Sequence, residues 1–281
     1  MSNKLFDIPI INNIIRYEET DSTNTRAKEF GNRGSVNGTL IIADCQTSGK
    51  GRLGRSFTSP SGTGIYMSLL LRPEINVSLV SEITLLAGLS VAKAISKAVS
   101  ETISSENSHN VQIKWPNDVL LDNKKIAGIL TEASFDSKLN YVIVGIGINV
   151  NTPHFDDELV HKATSLLLSC KKCFDTSEII YDTMKYFNDY YDIWICDKNL
   201  SGVLSEYNSL LNSYNKDIYV IPHDITKGIS NPYDIDTTGL EPVLCMGINE
   251  QGELICKKAD SSTEIVRSGE VSVRGKNSYA T

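Results

Sequence analysis

The spacing of hydrophobic residues predicts strands and helices along most of the chain. Short apolar runs predict strands at Thr39–Ala43, Ile65–Leu71 and Leu139–Ile148. Apolar residues at three- and four-residue steps predict one helix over Ser78–Thr102 and another that begins at Ser177. The apolar stripe of the second helix is expected to face a hydrophobic core rather than a cofactor.

The pattern changes at about Ser213, where helical spacing gives way to short β runs separated by turns. A last helix is predicted over Asn199–Leu211. The β runs are Asp217–Ile221, Val243–Ile248, Glu253–Cys256, Glu264–Val266 and Glu270–Arg274. They predict a small β-barrel of roughly 65 residues, so that residues 1–213 and 214–281 would be separate domains. The turn-rich stretch His223–Glu241 is predicted to be an exposed loop.

A polar break in this pattern, Gln46-Thr-Ser-Gly-Lys-Gly-Arg-Leu-Gly-Arg55, follows the strand at Thr39–Ala43. Its glycines let the backbone approach a ligand closely, and Lys50, Arg52 and Arg55 add three positive charges. An anion that draws these cations together would order the loop. The spacing of a Walker phosphate-binding loop is absent. The alternative is a flexible basic surface loop, and the surrounding sequence decides between the two.

Lys114 is predicted to be held at the end of the short strand Val111–Lys114. Pro116 ends the ladder and favours an extended Trp115, so the lysine stands on a stiff backbone. A lysine at a strand end is commonly a surface charge, but the flanking Trp-Pro-Asn-Asp run favours a positioned one. The following runs, Val119–Leu121 and Lys125–Glu132, predict a hairpin.

Two more stretches place polar or small residues where a ligand could approach. Asp21-Ser-Thr-Asn24 offers side chains that cap a helix start or converge on a polar ligand. Gly145 and Gly147 lie inside a predicted strand, where glycine costs packing, so a ligand or another backbone is expected to come close. The third glycine of a dinucleotide fingerprint is missing.

Composition and charge narrow the class of protein. The chain has 281 residues and a net charge of -7, so its surface as a whole repels nucleic acid and its loop cations are local. We expect no segment apolar enough to span a bilayer, no signal peptide, and reduced cysteines in a cytoplasmic protein. Cys170-Lys-Lys-Cys173 has zinc-site spacing but no matching second pair. The four histidines form no Ser-His-Asp or Cys-His pattern.

Five stretches occur in the order found in biotin–protein ligases, which this chain resembles from about Tyr17 onward. They are Asp21-Ser-Thr-Asn24, Gln46–Arg55, Lys114-Trp-Pro-Asn-Asp118, Lys125-Ile-Ala-Gly-Ile-Leu-Thr-Glu132 and Gly145-Ile-Gly-Ile-Asn149. Gly269–Arg274 matches as well. The resemblance implies a mixed α/β catalytic domain with flanking helices, like those of class II synthetases and lipoate ligases. It also implies a small C-terminal SH3-like β-barrel.

The resemblance implies a two-step reaction of biotin with ATP and Mg²⁺. Biotin becomes biotinyl-5′-AMP and is then transferred to a lysine of a biotin carboxyl carrier protein, with a carboxylase subunit as the expected carrier. Many family members pair through the sheet, so a homodimer is one expected state. Because no DNA-binding domain is expected at the N-terminus, we expect a ligase without repressor activity or specific DNA binding. The glycine loop would be disordered when empty and fold over biotin.

The resemblance also assigns residues to roles. Lys114 and Arg52 would be catalytic. The biotin-binding residues would be Ser22, Thr23, Asn24, Gln46, Lys50, Gly51, Arg52 and Lys114, and those binding ATP or the adenylate Arg55, Phe57, Asn117, Gly147, Asn149 and Arg274. Two positions depart from the family pattern, since Lys50 replaces a common arginine and Phe57 a common tryptophan; both are expected to adjust affinity. A non-catalytic biotin-binding module and a lipoate or octanoyl transferase remain the alternatives.

Overall fold

Residues 2–102, 109–222, 239–267 and 271–274 are described by a computed structural model. The helices are α1 (Ser2–Leu5), α2 (Thr23–Asn32), α3 (Val80–Thr102), α4 (Leu166–Cys170), α5 (Thr176–Asp197) and α6 (Leu204–Leu210). The first seven strands are β1 (Asn13–Thr20), β2 (Thr39–Gln46), β3 (Gly64–Leu71), β4 (Val111–Lys114), β5 (Asp118–Leu121), β6 (Lys124–Phe135) and β7 (Leu139–Asn149). The last five are β8 (Asp217–Pro222), β9 (Val243–Ile248), β10 (Leu254–Lys257), β11 (Thr263–Val266) and β12 (Val271–Arg274).

Strands β1 to β7 form one mixed sheet in the order β1-β2-β3-β7-β6-β5-β4. Only the pair β1–β2 is parallel among these described strands, and the other neighbours are antiparallel. The hydrophobic pattern did not predict β1, because this edge strand is half-buried and carries Arg16, Glu18 and Glu19 among its few apolar residues. The predicted hairpin is confirmed as β5–β6, with Asp122 and Asn123 at positive φ in its turn.

Helices cover both faces of this sheet. On one face α3 packs on β4 to β7 and α5 packs on α3. The predicted stripe of α5 is buried in this core: Ile180, Met184, Phe187, Tyr191 and Trp194. On the other face α2 packs on β2, β3 and β7 around a smaller cluster: Ala27, Ile41, Leu70, Tyr141 and Ile143.

The helical segment Val77–Thr102 is long and apolar enough to cross a bilayer by length and composition. The expectation that no segment reaches this length is therefore wrong. The segment lies in the protein core, where 67% of its most apolar 18-residue stretch is buried. A helix at the centre of a folded protein can be as long and as apolar as one that crosses a bilayer.

The C-terminal strands form an antiparallel sheet in the order β11-β10-β9-β8-β12, which confirms all five predicted runs. The boundary at residue 213 stays a prediction. The helix predicted over Asn199–Leu211 is shorter, because the Asn199 side chain accepts a hydrogen bond from Ser201 N and turns the chain before α6. Most of the predicted loop His223–Glu241 lies outside the described residues.

The turn Asn249–Gly252 between β9 and β10 docks this small sheet against the larger one. Gly252 O accepts a 2.9 Å hydrogen bond from the buried Trp115 indole, and Glu250 O accepts one of 2.8 Å from Leu200 N. Gly252 has φ +75°, and a Cβ there would overlap the Leu85 side chain. The segment that directly follows Lys114 is therefore held by the C-terminal sheet.

We expect the buried Glu82 carboxyl to make stability depend on pH. It accepts a 2.7 Å hydrogen bond from Trp194, and burial raises its pKa above the usual 4.5, against that hydrogen bond. A group whose pKa is higher in the folded than in the unfolded state stabilises the fold at pH values below its unfolded-state pKa. This stabilisation is lost as the pH rises through the folded-state pKa. Glu82→Gln keeps an acceptor for Trp194 and removes the charge, so its advantage over the wild type should grow with pH.

Urea unfolding at about pH 5 and about pH 8 measures this advantage as a difference in free energy of unfolding. Glu74→Gln is the matched control, since Glu74 is exposed. A Glu82→Gln effect of the same size at both pH values would contradict the prediction.

Candidate active site

The loop between β2 and β3 folds back on itself and carries cations to a cleft. Isolated bridges pair Gln46 with Ser59 and Lys50 with Ser56, and Phe57 N donates to Gly49 O at 2.9 Å. A Cβ on Gly49 would overlap Phe57 O, so this close crossing requires glycine. That the β2–β3 loop is disordered in the absence of biotin stays a prediction.

A cleft beneath this loop has an empty volume of about 460 Å³, part of it open to solvent. Ten of the predicted site residues line it: Ser22, Thr23, Asn24, Gln46, Lys50, Gly51, Arg52, Phe57, Asn117 and Gly147. They come from the start of α2, the β2–β3 loop, the β4–β5 turn and the end of β7. The fold thus brings together stretches that are more than a hundred residues apart in the chain.

One wall of the cleft is built on the first residues of α2. Ser22 is the N-cap with φ -160°, but its side chain makes no capping hydrogen bond, so the capping interpretation does not explain it. Gln46 Oε1 accepts from Thr23 N at 2.8 Å and lies 3.1 Å from Thr23 Oγ1. Gln46 Nε2 donates to Ser59 Oγ at 2.9 Å. This wall is therefore a fixed set of polar groups.

The floor of the cleft continues this polar set through buried side chains. Ser68 Oγ lies 2.7 Å from Thr23 Oγ1 and 2.7 Å from Asn24 Oδ1. Asn24 Nδ2 donates to Glu132 Oε2 at 2.8 Å. Ser68, Thr23 and Asn24 are all buried, so these contacts are little screened by water.

The opposite end of the cleft is positively charged. Arg52 Nη1 donates to Asn117 Oδ1 at 2.7 Å, which ties the loop to the β4–β5 turn. Asn117 Nδ2 in turn donates to Ile129 O at 3.2 Å. Lys125 also lines the cleft and forms a 2.7 Å ion pair with Asp118. This end can hold an anionic group, and the polar floor can hold a neutral ring.

Three predicted site residues, Lys114, Asn149 and Arg55, lie outside the lining of the cleft. Lys114 is buried at the end of β4, with 6% of its surface exposed. Asn149 is buried and donates to Thr164 O at 3.2 Å, so it fastens the end of β7 to the start of the α4 region. Arg55 is exposed on the loop. The side chain of Arg274 lies outside the described residues.

Two glycines of β7 make room for the side chains of the cleft. A Cβ on Gly145 would overlap the Asn24 amide, and a Cβ on Gly147 would lie 2.7 Å from the Phe57 ring. The Phe57 ring also meets Tyr66 edge-on, with centroids 6.4 Å apart. The predicted close approach at these glycines is therefore made by side chains of the protein itself.

Four residues that build the cleft were given no role at the level of sequence. Lys125 and Glu132 begin and end a stretch that the resemblance contains, so the motif was the available signal. Ser68 is the one serine in the apolar run Ile65–Leu71. A polar side chain in a buried strand needs a hydrogen-bond partner, so its position was a signal. Ser59 lies in the polar run Phe57-Thr-Ser-Pro-Ser-Gly-Thr-Gly64, where turn-forming residues give no sign of a contact with Gln46.

The Cys170–Cys173 pair has no metal-binding partners among the described residues, which contain no group of three His, Cys, Asp or Glu side chains that could hold an ion. Cys170 is buried, and burial raises the pKa of its thiol to about 11, whereas Cys173 is exposed. A thiol with so high a pKa is a poor metal ligand and nucleophile.

Comparison with known proteins shows which family the chain resembles. The sequence model of the biotin/lipoate A/B protein ligase family matches residues 17–149. The bifunctional ligase/repressor BirA of Bacillus subtilis is 38% identical over 181 residues, which are 63% of this chain and 53% of that protein. The biotin–[acetyl-CoA-carboxylase] ligase of Paracoccus denitrificans is 35% identical over 132 residues, 47% of this chain and 52% of that protein. The matches thus span about half the length of these relatives.

The fold has a solved counterpart over nearly its whole length. The biotin protein ligase of Aquifex aeolicus, determined in complex with biotin and ATP, is 27% identical and has a TM-score of 0.74. The similarity covers 95% of this chain and 100% of that one, which confirms the predicted mixed α/β fold class. Residues 17–149 are thus similar to the biotin/lipoate A/B protein ligase family, and the fold as a whole is similar to that of a solved biotin protein ligase.

Proposed function

We propose that this chain is an ATP-dependent biotin–protein ligase. The observation that carries the proposal is one cleft lined both by neutral polar groups of Thr23, Asn24 and Gln46 and by three cations, Lys50, Arg52 and Lys125. Biotin has the matching form, with a neutral cyclic urea at one end and a carboxylate at the other. ATP would bring its phosphates to the same cations.

The proposed first step activates the biotin carboxylate. One carboxylate oxygen attacks the α-phosphorus of ATP, the bond to the β-phosphate oxygen breaks, and pyrophosphate leaves. The product is the mixed anhydride biotinyl-5′-AMP. Negative charge accumulates at the α-phosphate, where Arg52, Lys125 and the nearby Lys114 would stabilise it. The hydrogen bond from Arg52 to Asn117 would hold the guanidinium in place.

The proposed second step transfers biotin to protein. A neutral lysine amine of the carrier attacks the anhydride carbonyl, an amide bond forms, and AMP leaves with the electron pair of the broken C–O bond. The amine proton passes to solvent or phosphate. Mg²⁺ would arrive as a partner of ATP, since the described residues offer no metal-binding group of three acidic, His or Cys side chains.

A labelling assay tests this function. The full chain is incubated with biotin, Mg-ATP and a biotin carboxyl carrier domain, and the mass of the carrier is measured. One added biotinyl group on a single lysine is expected, and a carrier with that lysine changed to arginine is the control. Biotin binding without any labelling would favour a non-catalytic biotin-binding module instead.

Lipoate is the main competing substrate, because the matching family includes lipoate ligases. The sulfur ring of lipoate offers no N–H donor for the polar floor at Thr23, Asn24 and Gln46, so we expect biotin to bind more tightly. Calorimetric titration with biotin in the presence of excess lipoate compares the two. Equal or tighter binding of lipoate would contradict the assignment.

The proposal extends to the partners of the enzyme. We propose a carboxylase biotin carrier as acceptor and no sequence-specific DNA binding, which the net charge of -7 supports. A gel shift with operator DNA tests the second part, and tight, specific binding would refute it. A homodimer is the proposed assembly, and light scattering with and without biotin and ATP would measure it.

Replacing Arg52 by glycine is expected to release biotinyl-AMP before transfer. Arg52 supplies the loop's hydrogen bond to Asn117, so its loss would open the cleft and let the reactive anhydride escape. Bystander proteins added to the reaction should then be labelled on many lysines, about tenfold more than with the wild type. Arg33→Gly, on the exposed chain after α2, is the control, and equal bystander labelling by all three proteins would refute the prediction.

Alanine substitutions of the two glycines of β7 should separate the ends of the cleft. Gly145→Ala would displace the Asn24 amide and raise the KM for biotin, whereas Gly147→Ala would displace the Phe57 ring and raise the KM for ATP. An increase of about tenfold is expected for the named substrate of each variant, with a smaller change for the other. The reverse pattern would show that the two ends are assigned the wrong way round.

A further inference from the structure

The orientation of the Gln46 amide is fixed by its neighbours. Ser59 Oγ donates its one hydrogen to Phe57 O at 2.8 Å, so it must accept in its 2.9 Å contact with Gln46. The Gln46 atom that faces Ser59 is therefore Nε2. Its carbonyl oxygen then faces Thr23 and accepts from Thr23 N at 2.8 Å.

The orientation of the Asn24 amide is fixed in the same way. Asn24 Nδ2 lies 3.3 Å from Leu130 O and 2.8 Å from Glu132 Oε2. A backbone carbonyl and an ionised carboxylate can only accept, so both contacts require the amide nitrogen on this side. Asn24 Oδ1 therefore faces Ser68 and the cleft.

Ser68 gives the hydrogen bonds of the floor a single direction. It has one hydroxyl hydrogen, and Asn24 Oδ1 can only accept, so that hydrogen goes to Asn24. The 2.7 Å contact between Ser68 and Thr23 then takes the one hydrogen of Thr23, in preference to the longer 3.1 Å contact of Thr23 Oγ1 with Gln46 Oε1. The chain of donors runs from Thr23 through Ser68 and Asn24 to Glu132. It leaves lone pairs on Thr23 Oγ1, Gln46 Oε1 and Asn24 Oδ1 at the cleft.

We propose that Ser68 and Glu132 are positioning residues that fix this direction and so make the cleft select a ring with N–H donors, such as a cyclic urea. Neither residue lines the cleft, and both act through Asn24. The inference rests on the proposed function and extends it to substrate selection. Without the Glu132 acceptor, or without the Ser68 hydroxyl, the Asn24 amide could turn over and present its N–H₂ group instead.

The test measures binding of biotin against lactam analogues, in which a CH₂ group replaces one of the two ureido N–H groups. Calorimetry with the full chain gives the ratio of Kd values, analogue over biotin. For the wild type we expect a ratio of about ten or more for at least one analogue, because a lone pair at the floor loses its donor. In Glu132→Leu and Ser68→Ala the same ratio should fall to about one to three.

If Ser68 and Glu132 had a purely structural role, their substitution would weaken the binding of biotin and of the analogue equally. The ratio of the two Kd values would then stay unchanged. Desthiobiotin keeps the cyclic urea and lacks the sulfur ring. The ratio of its Kd to that of biotin should therefore be the same in every variant. Ser90→Ala is the matched control for Ser68→Ala, since both serines are fully buried and Ser90 Oγ donates only to Leu86 O within its own helix. Ser134→Ala is the control on β6.

The outcomes separate the inference from the function on which it rests. A wild-type protein that does not bind biotin overturns the proposed function and the inference together. A wild type that binds biotin but shows no preference over either analogue overturns the inference alone. So does a folded Ser68→Ala or Glu132→Leu that keeps the wild-type ratio. Thermal melting checks folding, and Ser68→Ala decides the matter if Glu132→Leu does not fold.

Discussion

Replacing Lys114 by methionine is expected to slow the formation of biotinyl-AMP by about 10²- to 10³-fold while the protein stays folded. Removing one preorganised positive group at a site of developing charge typically has an effect of this size. Methionine keeps a long apolar stem in the buried position, where 6% of the lysine surface is exposed. The loss should therefore report on the charge rather than on packing.

Exchange of labelled pyrophosphate into ATP measures this step. The control is Lys124→Met at the start of strand β6, since the Lys124 ammonium donates to Val160 O at the surface. Transfer from synthetic biotinyl-AMP to the carrier separates the second step and should fall less than adenylation. Wild-type exchange by a folded Lys114→Met protein would remove Lys114 from the proposed chemistry.

Replacing Gly252 by alanine is expected to destabilise the protein by about 2–5 kcal/mol. A non-glycine residue at φ +75° costs about 1–2 kcal/mol, and forcing a methyl group against the Leu85 side chain costs about 1–3 kcal/mol more. The turn must then shift away from Leu85 and Leu200, which weakens the hydrogen bond from Trp115. Such a loss is a large part of the stability of an ordinary domain.

Gly34→Ala isolates the packing contribution to this effect. Gly34 has φ +81°, close to that of Gly252, but nothing lies within 4 Å of the position of its Cβ. Its substitution should cost only the backbone part, about 1–2 kcal/mol, in urea unfolding. If both variants lost the same free energy, the contact with Leu85 would contribute nothing.

Local sequence pattern was enough for most of the fold. Strands β2, β3 and β7, helices α3 and α5, and the five C-terminal strands follow apolar runs or helical stripes, because each buries one regular face. Strand β1 was not predicted from its apolar pattern, because an edge strand needs few apolar residues to pair with β2. The predicted start of the helix at Asn199 is wrong, because the hydrogen bond from Ser201 N to the Asn199 side chain forms a turn that competes with the helix.

The cleft was predictable only in part. The predicted site residues lie in distinctive stretches of sequence, and ten of them line one cleft. The residues that orient them were not predictable, because the contacts of Ser68 and Glu132 with Asn24 span 44 and 108 residues of sequence. A buried hydroxyl or a half-buried carboxylate has no local signature, and its role depends on the fold that brings its partner near.

The hydrogen bond between Trp115 and Gly252 O limits how short a working fragment of this protein can be. The family match ends at residue 149, and the larger sheet is complete there. A polypeptide stopping before β8 would nevertheless leave the Trp115 indole without its acceptor and uncover Leu85 and Leu200 to water. Truncation should therefore impair adenylation through residues that never touch a substrate.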